Sequence, residues 1–236
     1  MRNSRVVMLT GAGISAESGI RTFRDHDGLW ENHAVEDVAT PEAWLADPGL
    51  VWKFYQARRR QMLEVQPNDA HRAVARFQDQ MDSLLLITQN VDDLHERGGA
   101  KQVLHMHGEL SMMRCEYSGR VARRTEGIDL EEAFLTCRCC TKPSRMRPHI
   151  VWFGEQPMEM ERIYRAVETC EVFIVVGSSG HVYPAAGLVE VAKQAGAKTV
   201  LLNLEPPVNL GQYDEVHLGR AGECLPPLVN QWLQDP

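Results

Sequence analysis

The sequence predicts an α/β protein: a Rossmann-like, doubly wound parallel sheet with a small helical and cysteine-containing lobe inserted into it. Three observations predict this. A wholly apolar run, Val6-Val-Met-Leu9, feeds straight into Gly11-Ala-Gly13-Ile-Ser-Ala16, the strand and glycine turn that open such folds. Two more apolar runs, Leu84-Leu-Leu-Ile87 and Val172-Phe-Ile-Val-Val176, lack the alternation of a half-exposed strand and suit a parallel sheet buried on both faces. Helical patterns stand between strands, so the two element types alternate along the chain.

Taken in order, Arg5 to Thr10 is the first strand. Trp44 to Leu63 reads as one helix: Leu50, Trp52, Phe54, Tyr55 and Met62 recur at near-helical steps. Thr40-Pro41 suits its start and Pro67-Asn68 closes it. Asp69 to Met81 repeats the helical pattern, and Ser83 to Thr88 is the second strand. Gln102 to Leu104 is a short strand before His105-Met-His107-Gly-Glu109. The cysteine stretch that follows has little periodicity. Pro148 to Phe153 resumes an apolar, aromatic run, and Met158 to Thr169 is helical. Val172 to Val176 is the clearest strand and ends in Gly177-Ser-Ser-Gly180. A helix from about Ala185 to Gly196, a strand over Lys198 to Asn203 and a helix from about Glu223 to Leu233 complete the chain.

Residues 34–81 and 113–147 break the alternation. They are expected to pack together as the small lobe, one as a helical insertion and the other as a cysteine module. The sheet domain is then assembled from 1–33, 82–112 and 148–236. A cleft between lobes is a usual place for a ligand.

Composition narrows the function classes. The 236 residues are 44% hydrophobic and carry a formal net charge of -7, opposite in sign to a protein that coats nucleic acid. No apolar run approaches a membrane span, so neither nucleic acid nor membrane is expected as a partner. The short apolar run after Arg5 does not read as a signal peptide, so a cytoplasmic location is expected. Within the acidic whole, residues 113–147 hold eight basic and five acidic side chains, a local +3. A separate small module is the simplest explanation; a basic face for an anionic partner is the bolder one.

Gly11-x-Gly13-x-x-Ala16 satisfies the dinucleotide fingerprint, in which glycines let backbone approach a pyrophosphate. A dehydrogenase would carry an acid at the end of the next strand, about 20 residues on. Here Asp25-His-Asp27-Gly28 has a loop-like context, so hydride transfer is poorly supported. Arg24, beside Phe23, is either a phosphate partner or a solvated arginine. Asn90 and Asp92 follow the second strand, where ligands bind in this fold class, although an Asx turn would look the same.

Gly11-Ala-Gly13-Ile-Ser15 with Ser18-Gly19-Ile20, Phe23-Arg24, Gln89-Asn90-Val91-Asp92, His105-Met-His107-Gly108 and Gly177-Ser-Ser179 occur in one order. Together they resemble the sirtuins, NAD-dependent protein-lysine deacylases, over residues 5 to 230 and most closely in the class III branch. That branch, like this chain, has Arg21-Thr22 where other sirtuins have Pro-Asp.

The resemblance implies that NAD is held by Gly11, Ala12, Gly13, Ala16, Phe23, Arg24, Gln89, Asn90, Asp92, Gly177, Ser178 and Ser179. At the adenosine end it implies Asn203, Leu204, Glu205 and Ala221. It implies His107 as catalytic base, with Asn90 and Asp92 holding the nicotinamide amide and ribose. The acyl-lysine oxygen would displace nicotinamide to give an alkylimidate. His107 would then activate a ribose hydroxyl to attack the imidate carbon, and water would finish the reaction, yielding free lysine and O-acyl-ADP-ribose. His105, two residues away and on the same side if the segment is a strand, competes for the role; His71 and His95 are read as structural or surface residues.

Tyr55 and Arg58 match the pair that reads acidic acyl groups such as succinyl and malonyl, and Ala39 a small residue that leaves room for them. Residues at i and i+3 share a helical face, where Arg can fork onto a carboxylate. On the residues alone, Tyr55 is a core aromatic and Arg58 part of a solvated run with Arg59 and Arg60. Val151, Phe153, Gly154 and Val182 lie in segments resembling the two edges that grip an acylated peptide as an added strand. Acylated-lysine proteins and peptides are the implied partners, and a monomer is expected.

The family's zinc site uses two close cysteine pairs. Here Cys115 lacks its near partner, while Cys137-Arg-Cys139-Cys140 crowds the other end. Cys115, Cys137 and Cys140 are the candidate ligands of a structural zinc, with Cys139 as a further one; a metal-free lobe is the alternative. Cys170 and Cys224 read as core residues. Rival activities are a narrow deacetylase, in which Tyr55 and Arg58 only pack, and a mono-ADP-ribosyltransferase using the same NAD site.

Overall fold

The computed structural model describes residues 3–21, 33–123 and 134–234. The first half runs β1 (Arg5–Thr10), α1 (Gly13–Ala16), α2 (Val35–Val38), α3 (Pro41–Ala46), α4 (Pro48–Glu64), α5 (Asp69–Gln80), β2 (Ser83–Thr88) and α6 (Leu94–Arg97). Then come β3 (Val103–His105), β4 (Gly108–Cys115), β5 (Val121–Arg123) and β6 (Met146–Ile150). The chain closes with α7 (Met160–Thr169), β7 (Val172–Val176), α8 (Leu188–Gln194), β8 (Lys198–Asn203), β9 (Glu215–Leu218) and α9 (Ala221–Gln234).

Six parallel strands form the large sheet, in the order β3-β2-β1-β7-β8-β9. This is the doubly wound arrangement expected, with the direction of winding reversing between β1 and β7. Alternate residues of β1 enter opposite cores. Val6 and Met8 pack with α5 and α9 residues such as Phe77 and Trp232. Val7 and Leu9 pack with Ile163 of α7 and Leu188 of α8. Burial on both faces is why these strands are continuously apolar. Edge strand β9 escaped the sequence reading because its residues, with burial alternating between partial and exposed, carry no apolar run.

The small lobe has its own core, in which Trp44, Trp52, Phe54 and Tyr55 pack against Met113, Cys115, Cys137 and Trp152. Its sheet is antiparallel, in the order β5-β4-β6, and is a correction to the aperiodic reading of the cysteine stretch. A register shift between Glu109 and Met113 breaks the inside–outside alternation that would have revealed it.

Two expected boundaries also move. The single helix over Trp44 to Leu63 is two helices, because Asp47 ends α3 and caps α4, accepting from the Leu50 amide at 2.9 Å. The 34–81 insertion divides after α4, since α5 buries Ala70, Val74 and Phe77 in the large-sheet core. The basic residues of 113–147 are partly consumed within the lobe. Arg145 pairs with Glu116 at 2.7 Å and Arg147 with Glu155 at 2.8 Å, while Arg120, Arg138 and Lys142 are exposed.

Candidate active site

The carboxyl ends of β1, β2, β7, β8 and β9 meet along one edge of the large sheet, with the winding reversal at its centre. There Gly11 N–H donates to the Val176 carbonyl (2.9 Å) and Gly13 N–H to the Gly177 carbonyl (2.8 Å). A Cβ at Gly13 would lie 2.7 Å from Gly177 Cα, and one at Gly177, whose φ is +65°, would lie 2.5 Å from the Ile14 nitrogen. Only glycine permits this close approach of two loops.

Beside it opens a cavity of about 370 Å³, lined by Gly13, Ala16, Gly177, Asn203, Leu204 and Ala221 among the expected residues. Glu17 and Arg220 also line it and were missed, since neither belongs to a glycine or strand-end motif. Glu205 is exposed and Gly11 and Ala12 lie off this cavity; the Glu205 carbonyl instead accepts from Asn203 Nδ2 at 2.8 Å. Phe23 and Arg24 lie outside the described residues, as do Asp25 and Asp27. A glycine-floored cleft at the reversal point, with backbone where side chains would stand, fits a dinucleotide.

After β2 the chain forms a buried polar network. Ser15, on α1, donates to Asp92 Oδ2 at 3.0 Å and accepts from Asn90 Nδ2 at 3.1 Å, while Asn90 Nδ2 also reaches the Gly11 carbonyl at 3.2 Å. The Leu94 amide donates to Asp92 Oδ1 at 3.1 Å. Gln89 Nε2 donates to Ser178 Oγ at 3.0 Å, tying this segment to the end of β7; Ser179 follows, half-buried. Burial pushes the Asp92 carboxyl above its ordinary value, opposed by the Leu94 amide and the Ser15 hydroxyl.

His71 and His95 lie behind this network, both buried, with ring centroids 5.1 Å apart. His71 Nε2 is 3.4 Å from Ser15 Oγ and His95 Nε2 is 2.9 Å from Thr10 Oγ1. Burial lowers His71 to about 4 and holds His95 well below its ordinary value, so both are neutral and structural. Ser15 and the two histidines were not among the expected site residues; the signal for Ser15 was its place in the glycine turn.

His105 and His107 have opposite environments. His107 Nδ1 faces the Gln89 carbonyl at 3.1 Å. A carbonyl only accepts, so Nδ1 carries the proton and Nε2 keeps its lone pair. Burial lowers the His107 pKa, partly offset by that carbonyl, and keeps the ring neutral. His105 Nδ1 faces the Asn90 carbonyl at 3.1 Å and its Nε2 faces Glu96 at 2.8 Å. Burial opposes its charge, but Glu96 and the carbonyl carry its pKa upward. Both partners of His105 accept, so its protonated form donates from both nitrogens and has no lone pair to offer. The expected shared strand side is corrected: β3 ends at His105, and His107 sits in the turn into β4.

In the small lobe Tyr55 is 3% and Arg58 7% exposed, which rules out a solvated arginine run. The Trp152 indole donates to the Tyr55 hydroxyl at 3.0 Å. Buried Ala39 accepts from the Phe153 amide at 3.0 Å, and the His107 carbonyl accepts from the Val151 amide at 2.9 Å. The 151–154 segment therefore bridges the Ala39–Tyr55 region and the His107 turn. Gly154 is exposed with φ +89°. Val182 lies apart on the loop after β7, its carbonyl engaged by the Ala186 amide at 2.8 Å.

Cys115, Cys137, Cys139 and Cys140 cluster with all four sulfurs within 4.8 Å of one another. Cys139 is therefore a full member of the set. The Cys115–Cys140 and Cys139–Cys140 separations are 3.8 and 3.7 Å, near the roughly 3.8 Å edge that tetrahedral Zn–S bonds of about 2.3 Å impose. The Ser118 and Ser144 amides donate to Cys115 Sγ (3.5 Å) and Cys137 Sγ (3.2 Å), as thiolates require. The four residues fit a structural zinc ion.

Comparison with known proteins agrees with this geometry. Residues 11–184 match the Sir2 family model. The NAD-dependent protein deacylase of Salmonella typhimurium is 52% identical over 99% of this chain and 86% of its own length. That of Escherichia coli K12 is 54% identical over 99% and 84%. A Sir2 homologue solved with NAD is 40% identical with a TM-score of 0.87, covering 96% of this chain and 88% of its own. A Sir2 solved with a p53 peptide and NAD+ is 27% identical with a TM-score of 0.83, covering 97% and 93%.

Proposed function

The chain belongs to the Sir2 family, and from that premise we propose that it removes acyl groups from protein lysines in an NAD-dependent reaction. Acetyl and succinyl groups, and malonyl with them, are the proposed substrates. NAD and water are consumed, and the products are nicotinamide, O-acyl-ADP-ribose and free lysine. The observation that carries this reading is the paired environment of His107: a neutral ring with an Nε2 lone pair, on the same sheet edge as the glycine-floored cleft.

NAD, when bound, supplies the electrophilic ribose carbon and the nicotinamide leaving group. His107 Nε2 would take a proton from a ribose hydroxyl of bound NAD, and the Gln89 carbonyl holds the ring in the required tautomer. Asn90 and Asp92, fixed by Ser15, hold the nicotinamide amide and ribose. Gly13 and Gly177, with Gly11 and Ser178 packed beside them, would admit the phosphates, and Asn203, Leu204 and Ala221 border the adenosine end. Arg58 meets the distal carboxylate of an acidic acyl group beside Tyr55, with Ala39 leaving room. Val151, Phe153, Gly154 and Val182 border the peptide.

Cys115, Cys137, Cys139 and Cys140 would hold a structural zinc, which would brace the small lobe. Six free cysteines suit a reducing cytoplasm, and no helix among the described residues is long and apolar enough to cross a membrane. The working unit is proposed to be a monomer acting on acylated-lysine proteins and peptides.

The test is an NAD-dependent assay on acetyl-, malonyl- and succinyl-lysine peptides of one sequence, with mass detection of O-acyl-ADP-ribose. Its absence with every peptide overturns the reading. The Trp152–Tyr55 hydrogen bond favours one narrower version, a deacetylase in which Tyr55 packs. Turnover of the acetyl peptide alone would establish it.

A further inference from the structure

We propose that Arg147 and Glu155 form a positioning clamp that sets acyl selectivity, by holding Trp152 and through it the Tyr55 hydroxyl. The proposal rests on the acyl-pocket reading above. Arg147, at 8% exposure, sits at the start of the segment that leads to Phe153 and Gly154. Its guanidinium makes a two-pronged bond to Glu155, 2.8 Å on each side. The same guanidinium donates to the Ile150 carbonyl at 2.8 Å and lies over the Trp152 ring, 3.5 Å from its centroid. Glu155 Oε2 accepts from the Trp152 amide at 2.9 Å. One ion pair therefore closes the 150–155 segment from both ends and presses the indole into a single orientation.

That orientation has a chemical consequence. The indole N–H donates to the Tyr55 hydroxyl at 3.0 Å and so occupies one of its lone pairs. A hydroxyl that accepts from the indole must turn its own proton elsewhere. Holding Trp152 thus fixes the direction in which Tyr55 donates. The planar fork and the ring stacking are properties of arginine that lysine does not reproduce. Arg114, 3.5 Å from Glu155, adds charge but makes no comparable fork.

A purely structural ion pair and a positioning clamp give different results. The experiment uses the full chain with Arg147→Lys and, separately, Glu155→Gln, whose amide oxygen can still accept from the Trp152 amide. Each is made in the wild type and in Tyr55→Phe, and kcat/KM is measured on succinyl- and acetyl-lysine peptides of one sequence. The clamp predicts that Arg147→Lys lowers the succinyl-to-acetyl ratio by at least about tenfold, with a further fall of less than about threefold on the Tyr55→Phe background. Glu155→Gln should give a smaller fall in the same direction, and it carries the test if Arg147→Lys does not fold. An unchanged ratio in the wild-type background overturns the clamp, as does loss on both peptides equally. An equal fall in both backgrounds overturns its route through Tyr55. Failure of the acyl-pocket reading is seen separately, as an unchanged ratio in both Tyr55→Phe and Arg58→Met.

Discussion

The two lobes build their sites by different means. The cleft on the large sheet is made of backbone: glycines at strand ends, amides and carbonyls, and one short polar network behind them. The acyl pocket proposed in the small lobe is made of large side chains from distant segments, Tyr55 from α4 against Trp152 beyond β6. A backbone site inherits its precision from the parallel sheet. A side-chain site has only its own core to hold it, and that core encloses four cysteines as well as hydrophobic residues.

The largest expected effect separates the lobes outright. The protein should carry about one equivalent of zinc by elemental analysis, because binding energy in such sites is folding energy. Chelation should abolish the near-ultraviolet signal of the Trp44, Trp52 and Trp152 cluster while most helix and sheet circular dichroism survives. A zinc-free, monodisperse and active protein would remove the metal from the account.

The next effect lies on the sheet edge. His107→Ala should lower deacylation by about a hundredfold or more, in the range of lost general bases, with the fold intact. His105→Ala should act chiefly on stability, because it removes the partner of Glu96 and of the Asn90 carbonyl. Near-normal turnover by folded, NAD-binding His107→Ala would sink the assignment.

Selectivity should map to the other lobe. Arg58→Met should cost succinyl-lysine turnover about 2–4 kcal/mol, roughly a thirtyfold to thousandfold fall in kcat/KM. Acetyl-lysine, with no distal carboxylate, should lose less than about fivefold. Equal losses on both peptides would make Arg58 a support of the fold.

A last effect is in pH dependence and tests the large lobe through His71. His71 is depressed to about 4 when folded, against 6.5 when free. Below pH 6.5 the unfolded chain takes up this proton and the folded one does not. Stability from this residue is therefore whole above 6.5 and falls as pH drops toward 4, by on the order of 3 kcal/mol. Urea titrations of wild type and His71→Gln across that window should show a shallower slope in the variant. Equal slopes would place the acid sensitivity elsewhere.

What could be read in advance follows the same division. The sheet edge was legible because glycine after an apolar strand is a local signal, and both Gly13 and Gly177 carry it. The contrast between His105 and His107 was not local, since it depends on Glu96 and on which carbonyl each ring meets. Spacing alone does not rank Cys139 among three crowded cysteines, because it cannot show which sulfur turns inward. The small sheet was hidden by its register shift, and the break at Asp47 by apolar spacing that runs on across it. Trp152 never stood out, because its importance lies in an indole bond to a residue almost a hundred positions away.

The contact between Gly13 and Gly177 also limits how such a chain can drift. A methyl group on either residue strikes the backbone of the other's loop, at 2.7 and 2.5 Å, so no change at one site is relieved by a change at its partner. Compensation, the ordinary route by which paired positions wander, is closed here, because both are already at the smallest side chain there is. In a full substitution scan the two should stand as depleted columns, each insensitive to the genetic background at the other. Variation among descendants would have to accumulate around this pair, in the small lobe and its pocket, leaving the crossing of the two loops as the still point of the lineage.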